Sequence, residues 1–167
     1  MRKDKEKVCH SCYAYVGEKM FKKASEHFER NSKLFSESLL TKEELPYINK
    51  AICRFNAFGE LINDTHLLNL FSICNVNPHC LFALWTKRVN LVNWFIDKKP
   101  ANLILIYSSP YKNKIEKLPF GFDKTFTVFS KPFIRDNNIE INCAGHCIDC
   151  RKCYSRNDIV EINESLR

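Results

Sequence analysis

The sequence predicts an α/β protein: a partial parallel sheet of about four strands with crossover helices, followed by a cysteine-rich C-terminal loop. Three observations lead there. Four short apolar or β-branched segments, 51–58, 80–86, 101–108 and 124–130, are bounded by polar or turn residues, as buried strands are. Helical patterns separate the first three, and that alternation marks βαβ units and a parallel sheet. Finally, Cys143, Cys147, Cys150 and Cys153 crowd into one stretch near the C-terminus.

Taken in order, 167 residues predict a single domain. Residues 1–50 should supply a cysteine pair and helices, 51–131 the βαβ core, and 132–167 the cysteine-rich metal loop and tail. From Val16 to Cys53 the pattern is mostly helical: Met20, Phe21, Ala24, Phe28, Leu34, Phe35 and Leu39 recur at three- and four-residue spacings. A break is expected at Ser36 to Leu40. Thr41 with Glu44 three residues on is a capping box, so a second helix is expected over Lys42 to Lys50, with Pro46 in its early part. Asp64 or Thr65 should cap a helix through Leu67, Leu68, Phe71 and Ile73. Arg88 to Asp97, carrying Val89, Val92, Trp94 and Phe95, should be the next. A parallel sheet puts its functional loops at the strand C-terminal ends. Those ends are Gly59-Glu60, Trp85-Thr86-Lys87, Ser108-Ser109 and Ser130-Lys131.

Composition removes several classes. With 45% hydrophobic and 27% charged residues the chain is an ordinary globular one. Its longest wholly apolar runs are about five residues, against the roughly 20 that a membrane span needs, so no membrane association is expected. The start is charged and no apolar segment follows it, so no secretory leader is expected and the cytoplasm is the predicted location. A net charge of +7 permits weak attraction to nucleic acid, although basic and acidic residues are interleaved throughout. Four glycines form neither a phosphate loop nor a dinucleotide motif, and no nucleophile triad is visible, so no catalytic residue is assigned.

Nine cysteines are the informative number. In a reducing compartment disulfides are rare, and an odd count argues against a closed disulfide framework. The spacing Cys147-x2-Cys150-x2-Cys153, overlapped by Cys143-x3-Cys147, lets one loop wrap several thiolates around an iron–sulfur cluster. Two-residue spacing also suits zinc, which takes cysteine pairs from separate places. Cys9 and Cys12 are candidates for the other half of such a site, which would clamp the two chain ends together. The candidate metal ligands are therefore Cys9, Cys12, Cys143, Cys147, Cys150 and Cys153. A [4Fe-4S] cluster is favoured. Zinc is the alternative, since His10 and His146 would complete eight ligands for two ions. Cys53, Cys74 and Cys80 sit singly in strand or helix patterns and read as core residues.

Two resemblances attach to particular residues. Cys9-His-Ser-Cys12-Tyr13-Ala14 resembles the end of the Cys-x3-Cys-x2-Cys motif of radical S-adenosylmethionine enzymes, although Lys5 stands where that motif has its first cysteine. Phe58-Gly59-Glu60 resembles their Gly-Gly-Glu turn after the second strand. This likeness implies an incomplete barrel and S-adenosylmethionine as a cofactor. It would place Glu60 on the cofactor's amino group beside Gly59, with Lys87, Ser108 and Lys131 at neighbouring strand ends. The chain as a whole more closely resembles the phage "gene product 88" family, through Phe55 to Glu60, Pro78 to Lys87, Asn102 to Ser108 and Cys147 to Cys153. No biochemical function comes with that resemblance; it implies a bacterial or phage-infected host cell. The expected protein is a metal-binding, iron–sulfur, phage-type α/β protein, with an atypical radical-type enzyme as its catalytic form. The alternative is a zinc-stabilised module that binds nucleic acid or protein without catalysis, using aromatics such as Tyr13, Tyr111 and Tyr154.

Overall fold

The computed structural model describes residues 4–11, 17 and 20–166. The chain runs α1 (Lys22–Glu37), β1 (Ile52–Phe55), α2 (Asp64–Val76), β2 (Leu81–Thr86), α3 (Val89–Trp94), β3 (Leu103–Ser108), β4 (Lys124–Phe129), α4 (Lys131–Asn137), a helical turn α5 (Cys147–Cys150) and β5 (Glu161–Ser165). All five strands join one sheet in the order β1-β2-β3-β4-β5, and every neighbouring pair is parallel. The sheet is open, with β1 and β5 at its edges.

The four expected strands are present, the first trimmed at both ends and the others at one, and a fifth joins them. In β5 only Ile162 is buried, the other four residues being polar, so the segment carries no apolar run. Its backbone pairing to β4, Phe126 opposite Ile162 and Val128 opposite Glu164, is what makes it a strand.

Period-two alternation gives the sheet two covered faces. Phe82, Leu84, Leu103 and Leu105 pack against Leu67, Leu70, Phe71 and Ile73 of α2 and against Leu91 and Val92 of α3. Ala83, Trp85, Ile104 and Ile106 face the other way, onto Cys153, Tyr154 and Ile162. One face is thus closed by helices and the other by the cysteine-bearing segment.

Two local expectations are corrected. No helix spans Lys42 to Lys50. Half of the capping box forms: Thr41 N donates to Glu44 Oε2 at 2.8 Å, while Glu44 N donates to the backbone carbonyl of Thr41 at 3.1 Å and not to its hydroxyl. The next backbone groups are taken elsewhere: the buried Asn77 accepts from Ile48 N at 2.7 Å and donates to Pro46 O at 2.9 Å. Pro46 also has no N–H with which to continue a helix. The second correction is the cap of α2, which is Asn63: its side chain accepts from His66 N at 2.9 Å. Asn63 and Asn69 also stitch the end of α1 to α2. Asn63 donates to Ser36 O at 2.9 Å, and Asn69 donates to Phe35 O and Ser38 O while accepting from Leu40 N.

The segment Asp4–Ser11 crosses the C-terminal ends of β3 and β4. Lys7 bridges antiparallel to Tyr111, Val8 N donates to Pro110 O at 3.0 Å, and Lys112 N donates to Glu6 O at 2.8 Å. No helix among the described residues is long and apolar enough to cross a membrane.

Candidate functional site

The C-terminal cysteines are positioned from β5. Cys143 N and Asn142 N both donate to Asn163 O, and Asn142 Oδ1 accepts from Asn163 N at 2.9 Å, so the approach to the loop is zipped to a strand. Gly145 then takes a left-handed φ of 75°. Cys147–Cys150 closes one helical turn, with Cys150 N to His146 O at 3.0 Å. Arg151, at φ 52°, turns the chain again into a single 3-10 turn, Lys152–Tyr154. These bends bring Cys143, Cys147, Cys150 and Cys153 to one pocket of about 20 Å³, with His146 and Tyr154 on its wall.

The four thiols feel one another. Burial pushes Cys153 up to about 12, and the neighbouring Cys143, Cys147 and Cys150 add to the rise while Lys124 opposes it. Cys143 is raised by burial first and by Glu164, Cys147 and Cys150 in smaller part, with the backbone N–H of Gly145 working the other way. Burial thus favours the protonated form of Cys143 and Cys153. They share a pocket without standing as a finished ligand set: among the described residues no group of three or more His, Cys, Asp or Glu is arranged to hold a metal ion.

Beneath them lies an unusual group. Lys124, the first residue of β4, is 2% exposed. Its ammonium donates to Asn157 Oδ1 at 2.7 Å and to Ile159 O at 2.6 Å, both neutral acceptors. Among the described residues it forms no ion pair, since the adjacent Asp123 is taken by Lys99 and by Leu105 N. Burial lowers its pKa, while Cys153 and Asp123 hold it up. Two further donors on this side of the sheet, Arg54 Nε and Trp85 Nε1, are buried without an acceptor. The Arg54 guanidinium lies over the Trp85 ring at 4.1 Å, and Trp85 meets Tyr154 edge-on at 6.2 Å between centroids. Lys124 thus acts on Cys153, and the two unsatisfied N–H groups lie on the same sheet face, behind Tyr154, a distribution that suits negative charge.

Cys9 is half-buried in the 3-10 turn Val8–Ser11 on the strand-end segment and is not part of the pocket wall. Cys12, Tyr13 and the rest of the Cys-x2-Cys-Tyr-Ala run lie outside the described residues. Cys53, Cys74 and Cys80 belong to the helix-covered face, where Cys74 and Cys80 are fully buried.

The strand-end residues do converge. Glu60 reaches from the turn after β1 to the end of β2. There Thr86 Oγ1 donates to its Oε1 at 2.5 Å, Lys87 N to its Oε2 at 2.9 Å, and its own neighbour Leu61 N to Oε1 at 2.8 Å. Lys87 Nζ in turn donates to Ser108 Oγ at 3.4 Å. Gly59 has φ 82° with open space where a Cβ would be, so glycine is required by the turn and not by a close approach. Lys131 opens α4 at the end of β4. Sequence reasoning named Glu60, Lys87 and Ser108, with Trp85 only as a strand-end residue, and missed Lys124 and Arg54. A lysine at the head of an otherwise apolar and β-branched strand was the available signal for Lys124.

No curated protein and no solved structure matches the chain. The family model described as Gene product 88 matches residues 3–152. The match takes in about nine-tenths of the chain, through the helices, four of the strands and three of the four clustered cysteines, and the chain belongs to the gene product 88 family.

Proposed function

We propose that this chain is a metal-binding domain in which Cys143, Cys147, Cys150 and Cys153 hold an iron–sulfur cluster. The observation that carries the reading is the gathering of four thiols at one pocket above a buried ammonium that has no carboxylate partner among the described residues. A metal centre ligated by four thiolates has a net negative charge. Placed on this face, it would meet Lys124 and the unsatisfied N–H groups of Arg54 and Trp85, and hydrogen bonds and positive charge around ligating sulfurs are what stabilise such centres. Arrival of the metal would also displace the protons that burial favours on Cys143 and Cys153. The Cys-x3-Cys-x2-Cys-x2-Cys spacing on one loop supports iron–sulfur chemistry.

A single zinc ion is the second reading. It is favoured by the pocket's size of about 20 Å³, room for one water-sized sphere and not for a four-iron core. The fold would then present a stabilised binding module for nucleic acid or protein, without catalysis. In the catalytic form of the first reading, S-adenosylmethionine would meet Glu60. Its carboxylate already accepts three hydrogen bonds, so this form needs a further lone pair there. Cys9 and Cys12 stand as a separate candidate pair, and the Cys9→Ser variant tests them.

Anaerobic purification followed by an absorption spectrum and analysis of metal and acid-labile sulfide decides between these. Iron with sulfide supports the cluster, zinc without sulfide supports the second reading, and a chain free of both overturns the metal proposal.

A further inference from the structure

A second pocket lies away from the cysteines, at the C-terminal ends of β3 and β4. It has a volume of about 410 Å³, within the range of small-ligand sites. Three chain segments build it, and backbone hydrogen bonds lock them together. The N-terminal segment is joined through Lys112 N to Glu6 O at 2.8 Å and Val8 N to Pro110 O at 3.0 Å. The loop after β3 is shaped by Ser109, whose buried hydroxyl donates to Tyr111 O at 3.0 Å. It is tied to the β4–α4 turn by Asn113, which adopts φ 58°, donates to Val128 O at 3.0 Å, and accepts from Ser130 N at 2.7 Å. The wall is therefore formed before any ligand arrives.

Its chemistry is one-sided. Lys5, Lys112 and Lys114 line it against a single carboxylate, Glu6. Lys114 is engaged, by Glu116 at 2.9 Å and over the Tyr111 ring at 5.1 Å. Lys5 and Lys112 form no ion pair among the described residues. The apolar part of the wall comes from two rings, Tyr111 and Phe133, the latter backed by Phe129 at 5.9 Å between centroids. Two free ammonium groups beside two ring surfaces match a ligand that has phosphate at one end and a flat heterocycle at the other. Every nucleobase has a π-face for such rings, and lysine meets phosphate as a point charge. The position agrees, because open parallel sheets take ligands beyond the carboxyl ends of their strands.

We infer that this pocket binds a nucleoside phosphate, with Lys5 and Lys112 on the phosphate and Tyr111 and Phe133 against the base. The same chemistry is offered by a free nucleotide and by one residue of a single-stranded nucleic acid. This inference stands independently of the metal proposal, since none of the described cysteines lines the pocket.

The test uses the full chain as purified and a fluorescein-labelled ten-residue oligothymidylate, followed by anisotropy from low to moderate salt. The proposal expects saturable binding. The paired variant Lys5→Ala/Lys112→Ala should lose at least tenfold in affinity and flatten the log–log salt slope by about 1.4, at roughly 0.7 per phosphate contact on a single strand. A control pair on the exposed turn, Lys42→Ala/Lys50→Ala, removes the same charge and should change affinity less than twofold. Phe133→Leu should weaken the oligonucleotide while leaving competition by inorganic phosphate unchanged. Displacement by thymidine monophosphate at concentrations comparable to the oligonucleotide, counted per nucleotide, assigns the site to free nucleotides; much weaker displacement assigns it to single strands. No binding of either probe, or an equal loss in both lysine pairs, overturns the inference.

Discussion

The hydroxyl of Thr86 donates to the carboxylate of Glu60 across 2.5 Å, joining the turn after β1 to the end of β2. The same hydroxyl accepts from Arg88 N at 3.0 Å, so one residue pair sets both the strand end and the entry to α3. Glu60→Gln should therefore be destabilising. An amide cannot accept from Thr86, Leu61 and Lys87 as a carboxylate does, because one of its two ends is a donor facing a donor. The expected loss is about 1–3 kcal/mol, measured by urea unfolding. Ser108→Ala, which removes only a 3.4 Å contact to Lys87, should fall within about 0.5 kcal/mol of the parent.

Asn77 is the second point of failure. It is fully buried, accepts from Ile48 N, and donates to Pro46 O and Ile73 O, so a single side chain satisfies three backbone groups. Asn77→Leu should cost about 2–4 kcal/mol, since it both strands these groups and overfills the site. Hydrogen exchange should show the loosening at residues 46–48 as well as at the end of α2. An unchanged exchange pattern at Ile48 would contradict this assignment.

These two sites show where sequence reasoning reaches and where it stops. Strands such as Leu103–Ser108 are legible because both faces are buried, which leaves a continuous apolar run. Strand β5 is not, because an edge strand needs backbone partners and here only Ile162 contributes to a core. Of the capping box expected at Thr41 and Glu44, only the carboxylate half is present. Whether it starts a helix is decided about thirty residues away, by Asn77. The spacing of Cys143, Cys147, Cys150 and Cys153 is visible in the sequence, and the structure brings these four to one pocket. The charge environment that gives it chemical meaning is not visible in the sequence, since Lys124, Arg54 and Trp85 meet it only through the sheet.

Alkaline pH should destabilise the fold. Burial pushes Cys80 up to about 11 from an ordinary 9.0, and Cys74 is raised further, with Cys53 and Cys80 adding to its burial. Between pH 9 and about 11 the unfolded thiols release protons that the folded thiols retain. The unfolded state then binds fewer protons, and stability falls as pH rises. Each such thiol contributes a slope of about 1.4 kcal/mol per pH unit within its window. Urea midpoints compared at pH 8 and pH 10 should drop markedly, and the drop should shrink in Cys80→Ala. A flat profile would mean these thiols are not buried as a group.

Lys124→Met separates the two roles of the buried ammonium. Removing the charge should weaken retention of the bound metal against a competing chelator by about tenfold, the equivalent of 1.4 kcal/mol. The secondary structure, followed by circular dichroism, should be kept. Lys87→Met, at the strand ends, should leave metal retention unchanged.

X-ray absorption at the metal edge of the anaerobically purified chain addresses the central claim most directly. The account predicts a first shell made wholly of sulfur at about 2.3 Å, lost together with the metal in Cys147→Ser/Cys150→Ser and intact in Cys53→Ser. A first shell dominated by nitrogen or oxygen, or a metal content that the double variant leaves unchanged, would contradict it.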